Sequence, residues 1–166
     1  MGVSGTGKSS IAKSLSHSLQ FTYIEADDYH NQLAKQQMAN NQPLNDKMRK
    51  PWVAAIINKL VLLYKNQENA VLAFSGLKVQ HRNLLRETPY NCHFFYLNGN
   101  KETLKDRLLA RKNHFFSPSL LDSQFEAMQS PTSAEKDISF IDVNNEIHKP
   151  VYFHKQRDPL HSILLT

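Results

Sequence analysis

The sequence has little with which to staple or anchor itself. Its 166 residues include a single cysteine, Cys92, so no disulfide closes within the chain, and that usage fits a reducing, cytoplasmic setting. Cys92 itself reads as a small buried hydrophobe. No apolar run approaches the roughly 18 residues of a membrane span, and no basic segment leads into a short apolar one at the start. Neither a membrane nor a secretory route is therefore expected. Lysine and arginine outnumber acids by 20 to 15, for a net charge of +5. These cations are scattered rather than gathered in a tract, and no nucleic-acid-binding signature accompanies them, so small anionic ligands are the expected partners. Repeats and linkers are also lacking. With 40% hydrophobic residues, the chain is long enough for one core and reads as a single domain over 1–166.

What is present is concentrated in the opening run MGVSGTGKSS. Gly2, Gly7, Lys8 and Ser9 fill the fixed positions of G-x-x-x-x-G-K-[ST], with an extra glycine at Gly5. Such a loop turns successive backbone N–H groups toward phosphate oxygens, and the helix that follows adds its positive end. Here Val3, Ser4, Thr6 and Ser10 complete the candidate cradle, Lys8 reaches the β- and γ-phosphates, and the Ser9 hydroxyl suits Mg²⁺. Ile11, Leu15 and Leu19 follow at helical spacing. The loop ordinarily leaves a buried strand, yet only Met1 stands ahead of it.

Downstream, helix and strand alternate. Phe21 to Ile24 reads as a short strand ending in acids, and 29–40 as a helix with Asp28 as its cap. The segment 52–64 carries Val53, Ile56, Ile57, Leu60 and Leu63 on one helical stripe. AVLAFSG and CHFFYL read as buried strands, KVQHRNLLR and KETLKDRLLARK as helices, SLLDSQFEAMQ as a helix after Pro118, and ISFIDV as a last strand. Four strands separated by helices predict a parallel, doubly wound α/β sheet. Ligands of such sheets sit beyond the carboxyl ends of the strands, so the glycine loop, Glu25 to Asp28 and Ser75-Gly76 are expected to share one crevice. Acids beside a Mg-nucleotide point to phosphoryl transfer. Asp27 is the candidate to orient the attacking hydroxyl, and Glu25 a candidate partner of the metal's waters.

GVSGTGKS, ADDYH, PLND followed by RKPW, SGLK with Arg82 and Arg86, and RLLARKNHFF followed by SQFEAMQ stand in an order that resembles the gluconokinases. The resemblance runs from Gly2 to about Glu146. It implies a three-layer P-loop kinase fold like that of shikimate kinase, with ATP and Mg²⁺ used to phosphorylate D-gluconate on its 6-hydroxyl, and commonly a homodimer. It also implies that His30 contacts the sugar acid. Arg49, Lys78 and Arg82 are candidates for the substrate carboxylate and the transferred phosphate, because cations of this kind pair with both; Lys78 and Arg82 share a helix face, which also suits a solvated basic surface. Arg107 and Arg111 lead into an aromatic segment that resembles a lid, about 112–128, bringing positive charge to the γ-phosphate. Trp52 reads as core. A kinase for another small hydroxy acid such as shikimate, and a nucleotide-binding remnant without turnover, are the alternative readings.

The chain departs from the family pattern at Met48, where an acid is usual, and at Asn31, His81 and Asn113. Its tail, about 147–166, holds Pro150 and Pro159 and lacks a helical period. With no strand before the loop, both ends read as abnormal: an internal methionine taken as the start, and a diverged or frameshifted C-terminus. An empty central strand position would strip its neighbours of hydrogen bonds, so this reading predicts an unstable sheet.

Overall fold

Apolar residues at alternating or helical spacing become elements buried on the faces that spacing dictates. The computed structural model describes residues 1–110, 118–144 and 161–166. In chain order they form α1 (Lys8–Leu19), β1 (Thr22–Glu25), a 3₁₀ turn (Ala26–Tyr29), α2 (Gln32–Ala39), α3 (Asp46–Lys65), β2 (Ala70–Ala73), α4 (Val79–Arg86), β3 (Asn91–Asn98), α5 (Lys101–Leu109), α6 (Pro118–Ala127), β4 (Ile138–Asp142) and β5 (Ser162–Leu165). The strands make a parallel sheet in the order β1-β2-β5-β3-β4. Residues alternate across it, as a pleated strand requires. Ala70, Leu72, Phe94, Ile163 and Leu165 pack on one face with Trp52, Ile56 and Leu60 of α3. Val71, Ala73, Phe95 and Leu164 pack on the other with Leu15, Leu104 and Leu121 of α1, α5 and α6.

Helix starts follow asparagine caps. Asn45 accepts from Met48 N–H, so α3 begins at Asp46, ahead of the apolar stripe, with Pro51 inside its second turn. Asn31 accepts from Ala34 N–H, so α2 begins at Gln32. The helix expected from Tyr29, and with it the capping role of Asp28, is thereby corrected: Asp28 lies within the 3₁₀ turn.

The central strand position, expected to be empty, is filled. β5 lies between β2 and β3, with Leu165 opposite Leu72 on one side and Phe94 on the other. Thr166 extends the ladder, donating to Leu72 O and accepting from Phe74 N–H. Met1 takes the next place along β3: its amino group donates to Phe95 O and its carbonyl accepts from Leu97 N–H. In a parallel ladder that pattern sets Met1 opposite Tyr96. The facing also alternates without a break, since Ile163, Leu165 and Met1 join one cluster and Leu164 the other. The strand that ordinarily precedes a Walker A loop in sequence thus comes last in this chain and meets the loop in space. It supplies the hydrogen bonds whose absence was expected to weaken the sheet.

A buried charge cluster braces the end of α4. Arg82 is fully buried; its Nε and Nη2 donate to Glu135 at 2.8 and 2.6 Å, and its Nη1 donates to the carbonyls of Gly76 and Gln129. Arg86 bridges Glu135 and Asp137 and lies over the ring of Phe94. These bonds from Arg82 foremost, then from Arg86, hold the Glu135 carboxyl down at about 2 against burial.

Two outcomes follow from this packing. Ile163→Ala removes side-chain volume from the middle of β5 and is expected to cost about 2–5 kcal/mol in urea unfolding; a loss below about 0.5 kcal/mol, within the range of surface substitutions, would mean that the strand is not in the sheet. Because the folded-state pKa of Glu135 lies below its ordinary 4.5, the stability it contributes is complete above that pH and is lost as pH falls toward 2. Glu135→Gln is expected to lower stability at pH 7 by about 3 kcal/mol, since it leaves Arg82 buried without its counter-charge and sets an NH₂ where one of its two acceptor oxygens stood, and to flatten that acid limb. An unchanged limb would contradict the clamp.

Candidate active site

The glycine loop lies against the sheet more closely than any side chain allows. A Cβ on Gly2 would sit 2.7 Å from Leu97 O, and one on Gly76, where φ is +58°, would sit 2.8 Å from Met1 Cβ. Gly2 N–H also donates to Ser75 O, at the end of β2. Within the loop, Thr6 Oγ1 and Lys8 Nζ both donate to Val3 O, at 2.9 and 2.8 Å, so the lysine folds back across the space it encloses. Gly7 caps α1 in the left-handed region, and the helix starts at Lys8 with Ser9 and Ser10 in its first turn. The first-turn N–H groups of α1 have no partners within the helix and lie next to the loop, as a phosphate cradle requires.

Two neighbours complete the nucleotide side. Tyr23 Oη donates to Glu25 Oε2 at 2.6 Å and stands near the Ser9 hydroxyl. Burial first, then Glu25, raises its phenol above the ordinary range, so it remains a protonated donor. It stands between the candidate metal-site hydroxyl and the acid at the end of β1. On the opposite side α5 packs against the loop: a Cβ on Gly5 would lie 3.0 Å from Leu104 O and 3.1 Å from Leu108 Cγ. Arg107 stands on this helix between those residues. Arg111 and the first part of the expected lid, 112–117, lie outside the described residues, while 118–127 forms α6, packed on the core through Leu121.

Beyond the ends of β1 and β2 a second cluster collects. Trp52, a core residue as its sequence context predicts, donates from Nε1 to Ala26 O at 2.6 Å and so holds the 3₁₀ turn down. His30 stacks on Trp52 at 4.4 Å, nearly parallel, and His81 approaches the same ring edge-on. His30 Nε2 lies 3.8 Å from Asp27 Oδ1, whose side chain is 80% exposed. Burial foremost, then Lys35 and Arg49, lowers His30 to about 4, so its imidazole is neutral at pH 7. Its Nδ1 is buried without a hydrogen-bond partner among the described residues. Buried polar atoms are ordinarily paired, and an unpaired one facing a polar cluster suits a hydroxyl-rich ligand.

Asp46 organises the cations. It accepts from Arg49 Nη1 at 3.0 Å and lies 3.6 Å from Lys78 Nζ. The hydrogen bond from Arg49, then the charge of Lys78, lowers the Asp46 carboxyl below its ordinary range. Two cations set around one carboxylate leave one positive charge over. Arg82 does not join Arg49 and Lys78: expected among the substrate groups, it is enclosed in the clamp with Glu135 and touches the site's backbone through Gly76 O and Gln129 O. Lys78 and Arg82, four apart, leave α4 in different directions.

Asp46 and Tyr23 are the residues that sequence reasoning missed. Asp46 sat in plain view in PLND, where an acid three places after a proline reads as turn chemistry; Tyr23 read as core. A glutamine in SQFEAMQ carries a further contact: Gln124 Oε1 accepts from Ser4 N–H at 2.6 Å.

Comparison with known proteins agrees with this geometry. A family model described as an AAA domain matches residues 1–133. The chain is 37% identical to the thermoresistant gluconokinase of Escherichia coli over 147 residues, covering 89% of this chain and 84% of that protein. It is 38% identical to a probable gluconokinase of Dictyostelium discoideum over 161 residues, covering 91% and 80%. Among solved structures, a gluconokinase from Sinorhizobium meliloti superposes with a TM-score of 0.81 at 34% identity, over 91% of this chain and 84% of that one. Identity at this level over most of both chains shows common descent, and the chain belongs to the gluconokinase family of P-loop kinases.

Proposed function

We propose that the protein transfers the γ-phosphoryl group of ATP to the 6-hydroxyl of D-gluconate. The observation that carries this is the meeting, at one edge of the sheet, of a phosphate loop with the Tyr23–Glu25 pair beside it and a polar cluster, two residues further on, in which Arg49 and Lys78 share the carboxylate of Asp46. Phosphoryl transfer needs little covalent help from the protein; it needs charge neutralisation and in-line positioning. Loop amides and Lys8 receive the phosphates, Lys8 exchanging the Val3 carbonyl for phosphate oxygens. Arg107 adds charge from α5. Arg49 and Lys78 attract the gluconate carboxylate, with Asp46 keeping both extended toward it. Neutral His30 offers Nδ1 to a sugar hydroxyl, and Asp27, exposed beside it, accepts the proton of the attacking alcohol.

The Ser9 hydroxyl and Glu25 carboxylate form an all-oxygen set that suits Mg²⁺, with Glu25 acting through water. Bound there, the ion would neutralise charge on the β- and γ-phosphates. In the same reading the protein works in the cytoplasm as a homodimer.

A coupled ADP-release assay across sugar acids and shikimate tests the reading: turnover with gluconate is expected, and turnover with shikimate alone, or nucleotide binding with no acceptor, would overturn it. Lys8→Ala and Asp27→Asn are each expected to lower kcat by at least about 10²-fold; a near-normal rate for Asp27→Asn reassigns the proton acceptor. Since His30 is already neutral well below pH 6.5, kcat/KM for gluconate is expected to show no break near that pH that disappears in His30→Asn.

A further inference from the structure

The phosphate loop is not open in this structure. Ser4 N–H, one of the amides of GVSGTGKS, is taken by the side-chain oxygen of Gln124 at 2.6 Å, across 120 positions of sequence. That side chain is not a passing surface group. Its helix, α6, is seated by Leu121, fully buried in the cluster that contains Val3, with Phe125 packed beside it. Asp122 pairs with Lys101 of α5 at 2.8 Å. Past its end, Gln129 N–H donates to Leu77 O, and Gln129 Oε1 accepts from Val79 N–H. The helix therefore rests on the phosphate loop through Gln124 and on both sides of Lys78 through Gln129.

We propose that Gln124 is a positioning residue of the phosphate loop: its amide oxygen stands in for a phosphate oxygen on Ser4 N–H while the loop is empty, and yields that place when a nucleoside triphosphate enters. The inference rests on the kinase reading above and adds a residue to it. Two physical points support it. A loop amide left without an acceptor pays a desolvation cost, so an empty cradle of converging N–H groups keeps its shape better with an internal acceptor. A carboxamide is also the right one, because a neutral acceptor is weaker than an anionic one and is displaced by phosphate, whereas a carboxylate in the same place would bind the amide more strongly and repel the nucleotide. Once displaced, the same group presents its NH₂ as a donor.

The test uses the amide resonance of Ser4 in nitrogen-labelled, full-length protein, with and without Mg²⁺ and a non-hydrolysable ATP analogue. In the empty protein, Gln124→Ala is expected to shift that resonance; with the analogue bound, the variant and the parent are expected to coincide at Ser4. Gln124→Glu is expected to weaken analogue binding by roughly tenfold or more, while Glu126→Gln, exposed on the same helix, leaves it unchanged. An unaltered Ser4 resonance in empty Gln124→Ala, an equal difference in both states, or parental affinity in Gln124→Glu would overturn the proposal. None of these readouts involves gluconate, so a failure here is distinct from a failure to phosphorylate it.

Discussion

The hydrogen-bond ladder that Ser162 to Thr166 and then Met1 make between β2 and β3 is the constraint on which everything else depends. A parallel sheet buried on both faces has no way to satisfy its central backbone groups except through a strand. That strand also aims the loop. Met1 carries the pairing to the sheet edge, Gly2 turns against Leu97 O, and the cradle opens where β1 and β2 also end. The final strand and the loop meet by adjacency: the facing of side chains and the register of bonds pass from one segment to the other along β3. The expectation of an unstable sheet was sound physics applied to the wrong connectivity, since this position is filled.

Around that frame, burial sorts like charges into different work. Arg82 is enclosed with its donors on Glu135 and two carbonyls, where a lost partner is expensive and a ligand finds nothing to bind. Arg49 and Lys78 share the exposed Asp46, two cations around one carboxylate. His30 is held neutral by burial against Trp52, which makes it a hydrogen-bonding group rather than a charge. Spacing on a helix cannot express these differences. They depend on what lies across the fold.

Local signals accordingly carried the elements, and long-range contacts carried the surprises. The glycine loop, the stripe of α3 and the strands AVLA and CHFFYL were legible because each is encoded by neighbours in sequence. So was the common edge for the loop, the acids after β1 and Ser75-Gly76, which follows from the rule for parallel sheets. Asn31 and Asn45 were plain capping residues, yet the helix starts were placed off them because apolar periodicity drew the boundary instead. β5 was the largest omission. SILL is a short apolar run in a proline-interrupted tail, and nothing nearby says which neighbours it pairs with; only the vacancy beside the loop, read together with that run, would have joined them. Arg82, four residues from Lys78, shows the same limit, since its partner Glu135 lies 53 positions away.

Amide hydrogen exchange along the final strand tests the account most directly. If the segment builds the sheet as described, Ile163, Leu164 and Leu165 exchange in the same slow class as Val71 and Leu72 of β2, and slow further when a Mg-nucleotide fills the loop beside them. Exchange of those three amides at the rate of an unstructured peptide, with β2 still protected, would show that the central position is filled by something else and that the site does not owe its geometry to this strand.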